Sequence, residues 1–271
     1  MCRVLGVNRS YYYDVIKHPQ TTDESEQALQ DKLKELFEEH KGNYGSRRLV
    51  KELKKASFEV GRYRVRSLMK KLGLVTRYPK RFQVTTDSRH AYPVAENRLN
   101  RQFEVKAANQ TWTTDISYVW TNEGWMYLAI VVDLFSRQII GWSLQDHMRT
   151  QLCLDALEMA WWRRKKPKGV MHHSDRGSQY ASHDYQERLQ TYGMEVSMSR
   201  KGNCWDNSPT ERVFRTLKSE WLSRFNFQTK QSAKHAVWDY ISYYNSKRSH
   251  STLGYVSPME FEQQMLQRKA S

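Results

Sequence analysis

Hydrophobic positions change their period along the chain, and the changes divide it. In the first third they recur at helical spacing. Leu29, Leu33, Leu36 and Phe37 mark one apolar face after Asp23-x-x-Glu26, a pattern resembling a capping box. Ser46 stands where it could cap a second helix with Leu49, Leu53 and Ala56 on one side. From about Arg62 a third helix turns Val65, Leu68, Met69 and Leu72 inward and ends at Gly73. Its outward side carries Arg62, Arg66 and Lys70. Short helices with a basic face on the last one suit a helix-turn-helix DNA reader; a small bundle with a solvated charged face fits the pattern equally well. Met1 to Tyr13 resembles the truncated end of another such unit. Residues 75–108 lose periodicity, contain Pro79 and Pro93, and read as a basic linker able to track a phosphate backbone.

From Gln110 the period shortens. Trp112, Ile116, Tyr118 and Trp120 alternate with smaller or polar residues, which predicts a strand. Thr121-Asn122-Glu123-Gly124 predicts a turn, and Met126 to Leu134 a strand apolar on both faces. A third strand is expected over Gln138–Leu144, a helix over Arg149–Arg163, and a short strand over Gly169–His173 running into Ser174-Asp175. A helix over Ser182–Tyr192, a brief strand at Met194–Met198 and a strong helix from Ser208 complete the core. Three meandering strands followed by alternating helix and strand predict an α/β fold. The expectation is a mixed five-stranded sheet flanked by helices, in the order of the ribonuclease H-like fold, preceded by a small all-helical domain. The predicted division is a truncated helical segment at 1–20, a helix-turn-helix-like domain at 21–75, a basic linker at 76–108, a catalytic core at 109–224 and a helical extension at 225–271.

Charge narrows the function. The 271 residues hold 44 Lys+Arg against 29 Asp+Glu, a net +15. The surplus is local: residues 41–108 carry 18 basic against 5 acidic side chains. Such a field attracts polyanions, nucleic acid first among them. The longest apolar stretch, Met126 to Val132, falls far short of the roughly 20 residues a membrane helix needs, so no membrane partner is expected. Cys2, Cys153 and Cys204 form no C-x-x-C pair, which argues against a disulfide framework and fits a reducing cytoplasm.

Three acids stand out by placement. Asp115 lies in the first strand on the opposite parity from its apolar residues, Asp175 just past a short buried strand, and Glu211 in the first turn of the helix from Ser208. Carboxylates from separate elements can converge on a hard divalent cation, and two such ions can clamp both oxygens of a phosphodiester displacement. Each acid also has a plainer account. Asp115 could be an ordinary polar strand residue, Asp175 a turn residue before Gly177, and Glu211 part of a Ser208-Pro209-Thr210-Glu211 capping box.

Three motifs separate these accounts. W-T-T-D-I-S-Y around Asp115, H-S-D-R-G-S-Q-Y around Asp175 and S-P-T-E-R-V-F-R-T-L-K around Glu211 resemble the catalytic blocks of DDE transposases and retroviral-type integrases. Between the second and third acids lie 35 residues, that group's characteristic spacing. S-x-S-R-x-G-N-C-x-D-N (Ser197 to Asn207) and Y-N-x-x-R-x-H-S-x-L-G-Y-x-S-P (Tyr244 to Pro258) resemble, more closely still, the second-frame protein of the insertion sequence three family.

The resemblance implies that Asp115, Asp175 and Glu211 are catalytic and bind two Mg2+ ions, with Mn2+ a plausible substitute. It implies magnesium-dependent DNA strand cleavage at insertion-sequence ends followed by strand transfer. Lys218, two helical turns after Glu211, and Arg215 could present cations to a DNA phosphate, with Arg62, Arg66 and Lys70 contacting DNA from the helical domain; a solvated helix face is the alternative for Lys218. Asp133 is expected to support the sheet or the substrate groove, and residues 199–207 to close over DNA. The Arg248-x-His250 block is either structural or DNA-contacting. Implied partners are double-stranded DNA (terminal repeats and target), an upstream-frame protein joined by frameshifting, and further copies of the chain on DNA, in a bacterial cytoplasm near the nucleoid. A non-catalytic DNA-binding regulator would need the basic surface without the acids.

Overall fold

The computed structural model describes residues 8, 13, 24–76, 92–201 and 203–270. Apart from residues 8 and 13, the segment at 1–20 falls outside the described residues, as do Asp23 and most of the first half of the linker. The chain divides into two compact units, Met1–Arg77 and Tyr78–Ser271.

The first unit holds three helices, α1 (Glu24–Glu39), α2 (Ser46–Lys55) and α3 (Arg62–Lys71). Leu33, Leu49, Leu53 and Val65 are fully buried at its centre with Tyr44. Each such aliphatic side chain contributes about 1.5–3 kcal/mol on leaving water, enough to hold three short helices together. Ser46 does not cap α2. Gly45 is the N-cap, in extended conformation and with no side-chain cap bond, so Ser46 is already helical. Beyond α3, Gly73 takes φ +65° and turns the chain.

The second unit is a five-stranded sheet ordered β3-β2-β1-β4-β5, the ribonuclease H-like arrangement. Its strands are β1 (Thr111–Thr121), β2 (Gly124–Asp133), β3 (Ile139–Gln145), β4 (Met171–Ser174) and β5 (Glu195–Met198). β1, β2 and β3 form an antiparallel meander, whereas β4 runs parallel to both β1 and β5. Two helical layers cover it. On one face pack α7 (Ser208–Glu220) and α8 (Lys230–Ser246), burying Val119, Met126, Leu128, Ile130 and Val132. On the other pack α4 (Thr150–Arg163), α5 (Ser178–Ala181) and α6 (His183–Thr191) against Trp112, Ala129, Val131 and Ile140. α4 lies so close to β3 that a Cβ at Gly141 would stand 2.1 Å from the Ala156 carbonyl, which reserves that position for glycine.

β1 departs from the predicted alternation. Thr113, Thr114, Ser117 and Val119 are buried as well as Trp112, because helices cover both faces, while Trp120 is 53% exposed. The short helix α5 follows Gly177 where no helix was predicted. Within the stretch read as a linker, residues 98 and 99 pack on the core. Ser197 Oγ accepts from the Arg98 and Leu99 amides at 3.0 and 3.1 Å, and Leu99 is buried. A last helix, α9 (Pro258–Ala270), is clamped by Glu262, which accepts from Arg164 at the end of α4. No helix among the described residues is long and apolar enough to cross a membrane.

Candidate active site

The parallel register of β1 with β4 creates the site. Thr113 is level with His173, and by the same register Asp115 and Asp175, two residues further on and beyond the last paired residues, come level. Ladder pairing between the two strands ends at Thr113, leaving room beside β1 from there on. Asp115 shares the parity of Thr113 and Val119 and therefore faces α7. That helix is tied to the same strand at its first turn. Thr210 Oγ1 donates to Thr113 Oγ1 at 2.6 Å, and Asn207 Nδ2 donates to the Thr114 carbonyl at 2.9 Å. Glu211 follows Thr210 directly and completes the group.

Its electrostatics record the convergence. Burial pushes the Asp115 carboxyl well above its ordinary range; Asp175 and Glu211 push it further, against the Ile116 amide, which donates at 2.8 Å, and Lys218. Glu211 is raised first by burial and then by Asp175. Burial lowers Lys218, and Asp115 opposes that shift. Asp175 Oδ1 accepts from the Gly177 amide at 2.9 Å. A Cβ at 177 would lie 3.0 Å from that oxygen and 3.1 Å from Gln179 Oε1, so glycine there leaves the carboxylate its place. Among the described residues no group of three or more His, Cys, Asp or Glu side chains is placed to hold a metal ion; like charges on the carboxylates oppose closer approach. The predicted capping box does not form. Asn207 is the N-cap of α7 and Ser208 is already helical, so capping does not account for Glu211.

Comparison with known proteins shows the family and the fold. Integrase core domain models match residues 105–204 and 211–266, and a helix-turn-helix-like domain model matches 24–82. The chain is 39% identical over 270 residues to transposase InsF for insertion sequence IS3A of Escherichia coli strain K12, covering 98% of this chain and 94% of that protein. It belongs to the IS3 family of insertion-sequence transposases. An insertion element IS600 uncharacterized 31 kDa protein of Shigella sonnei is 41% identical, with each chain covered completely. A chain of the simian T-cell lymphotropic virus intasome shares the fold, with a TM-score of 0.51 and 15% identity over 81% of this chain and 70% of that one. The enzyme class is accordingly polynucleotidyl transferase.

The remaining residues of this transposase separate into those near the acids and those elsewhere. Lys218 Nζ lies 4.1 Å from the Tyr118 ring centroid, and Arg215 is exposed on α7. Arg62, Arg66 and Lys70 are exposed on α3, in the other unit. Asp133 lies at the end of β2, fully buried, accepting from the Asn109 and Phe135 amides at 2.9 and 3.0 Å and facing Arg164 at 3.4 Å. It braces the sheet. His172 meets the Tyr185 hydroxyl at 3.1 Å; His173 lies between the Ser197 and Ser199 hydroxyls at 2.9 and 3.1 Å, so both are packing residues. The Arg248 block is structural, since its buried guanidinium grips Glu220 at the end of α7.

Asp206 is a residue that sequence reasoning passed over. Fully buried, it accepts from Asn97 Nδ2 at 2.8 Å, Arg101 Nε at 2.8 Å and the Arg200 amide at 3.0 Å. These contacts pin one end of the loop before Glu211 to residues 97–101. Its burial alone would raise the carboxyl, but the Arg200 amide and Arg101 hold it below the usual range.

Proposed function

We propose that Asp115, Asp175 and Glu211 form the centre at which this transposase cleaves and joins DNA strands, and that they hold two Mg2+ ions, which Mn2+ can replace. The levelling of Asp115 with Asp175, with Glu211 secured beside them by Thr210, carries the proposal. The donor set fits a hard divalent cation: all the ligands are carboxylate oxygens, and their mutual repulsion is what a shared cation relieves. When bound, magnesium supplies Lewis acidity, neutralising charge on the phosphate and lowering the pKa of a coordinated water or hydroxyl.

The side chains divide the remaining work. β1 and the turn after β4 fix the two aspartates, and no protein nucleophile is required, because in-line displacement at phosphorus needs positioning and charge neutralisation. Lys218 and Arg215 offer cations to the phosphate beside the acids. Arg62, Arg66 and Lys70 hold the DNA backbone through contacts that weaken with salt. The DNA is double-stranded, the terminal repeats of an insertion sequence and its target. We assign DNA reading to 21–75, a linker to 76–108, catalysis to 109–224 and a supporting extension to 225–271. The assembly comprises further copies of the chain on DNA and an upstream-frame protein as a frameshift fusion, in the bacterial cytoplasm at the nucleoid.

Nicking of supercoiled plasmid with magnesium tests the assignment. Wild type is expected to nick, and Asp175→Asn to bind DNA normally without nicking. Nicking by Asp175→Asn at the wild-type rate overturns it. A wild type that binds without nicking would be a regulator, and cleavage without joined products would indicate a nuclease.

A further inference from the structure

We propose that Tyr118, Trp120 and Trp125 form an aromatic platform on which unpaired bases of the bound DNA strand stack beside the acidic centre. The proposal rests on the assignment of Asp115 to that centre. Trp120 and Trp125 sit opposite one another at the end of the β1–β2 hairpin, ring centroids 4.8 Å apart, and Tyr118 meets Trp125 edge-on at 5.1 Å. The two tryptophans, on β1 and β2, are 53% and 45% exposed, where most other positions of both strands are buried or half-buried. Cross-strand aromatic pairing stabilises the hairpin, yet it does not require two indoles half in water.

Charge complementarity indicates the occupant. Lys218 comes from α7, on the opposite face, and reaches the Tyr118 ring past the unpaired edge of β1, with its Nζ 4.1 Å from the centroid. The same ammonium acts electrostatically on Asp115. One cation therefore lies between the acid and the aromatic group, along the path of a strand whose phosphate is at the acids and whose bases reach the rings a few nucleotides on. Trp120 lies five residues beyond Asp115, roughly 17 Å at about 3.3 Å per residue. That is about five nucleotide steps at the duplex rise of ~3.4 Å, within reach of the strand held at the acids. Stacking on aromatic rings accepts any base, so the platform serves strands frayed or opened near the cut without reading sequence.

The test measures binding in EDTA, so that no strand is cut and the outcome is independent of the proposed cleavage centre. The probes are a blunt duplex and the same duplex with a single-stranded extension carrying 2-aminopurine. Trp120→Leu/Trp125→Leu is expected to bind the extended duplex on the order of tenfold more weakly than wild type, with blunt-duplex binding little changed. Trp120→Phe/Trp125→Phe should retain most of the affinity, since it keeps the rings. With wild type, 2-aminopurine fluorescence should be quenched on binding, a readout that survives if the leucine variant fails to fold. Equal affinity of the wild-type and leucine proteins for the extended duplex, or absence of quenching, overturns the proposal. So does a leucine variant that keeps DNA binding but loses self-association, which would make the face a protein interface.

Discussion

Replacing Arg248 tests whether the block around it is a strut or a DNA contact. The guanidinium is 3% exposed, and its Nε and Nη2 each donate to a Glu220 oxygen at 2.7 Å. Nη1 lies 3.1 Å from His250 Nε2, and the guanidinium carbon stands 5.8 Å from the Tyr244 centroid. Burial alone would lower the Arg248 pKa; the bonds to Glu220 more than reverse this and keep it charged. Arg248→Met removes that cation and leaves the Glu220 side chain, 14% exposed, without its guanidinium. Losing one partner of a buried pair costs about 3–5 kcal/mol, and the residual water access of Glu220 places this case near the lower end. In a unit the size of Tyr78–Ser271 each kcal/mol is worth about 2–4 °C in Tm, so a fall of roughly 6–12 °C is expected by circular dichroism. Arg248→Met/Glu220→Leu should regain much of the loss, because an apolar pair of similar volume is often as stable as the ion pair. A single variant melting within about 2 °C of wild type, or a double variant melting below the single, refutes the strut. An unchanged Tm with weakened DNA binding would instead mark the block as a DNA contact.

Gly177→Ala should reduce nicking about tenfold or more with little change in Tm, because the new methyl crowds Asp175 Oδ1 at 3.0 Å; wild-type nicking would show that the carboxylate has slack. Asp206→Ala should loosen the backbone at residues 97–101 and speed trypsin cleavage after the already exposed Arg98 and Arg101, and an unchanged digestion pattern would mean that these residues are held by other contacts. Arg66→Ala should weaken DNA binding uniformly across sequences and reduce the slope of log K against log salt by about 1; an unchanged slope would remove that residue from the interface. For pH, burial lowers His172 from 6.5 to about 3, so the unfolded chain takes up the proton first. Its contribution is complete above pH 6.5 and declines as pH falls towards 3, with a limiting slope of about 1.4 kcal/mol per pH unit. Tm should therefore fall between pH 7 and 5 and fall less in His172→Gln; parallel Tm profiles would count against it.

How much could be read from the sequence depends on how far apart the interacting residues lie. The continuous apolar run of β2 shows by itself that the strand is covered twice, and it is. β1 is harder: its threonines and Ser117 look like a solvated face, and only helices from later in the chain, packed on both faces, bury them, with Thr114 beside Tyr180 of α5 and Thr113 beside Thr210 of α7. Helix caps were misplaced by one residue at Gly45 and Asn207, because serine is a plausible cap wherever a helix starts. The acids were visible as motifs, but the register that aligns Asp115 with Asp175 belongs to the β1–β4 pairing and leaves no local trace. Asp206 has partners more than a hundred residues upstream, and although its segment is visible as a motif, nothing local in it shows which residues the acid would hold.

The three acids are held by unequal means, and the difference bears on how such a centre works. Asp115 extends from the middle of the sheet, where neighbouring positions on both faces are packed, so its backbone has little freedom. Asp175 stands where β4 gives way to a turn and accepts from the Gly177 amide. Glu211 rides on α7, whose start hangs on side-chain bonds from Thr210 and Asn207 and whose far end is gripped by Arg248. The loop leading into α7 is in turn fastened through Asp206 to residues 97–101, which come just after the segment following the helical unit. Side-chain bonds yield more readily than a packed strand, since each contributes only about 1 kcal/mol net. Within the proposed centre Asp115 therefore supplies the fixed frame, and adjustment to DNA falls on Glu211 with its loop and on Asp175 at its turn.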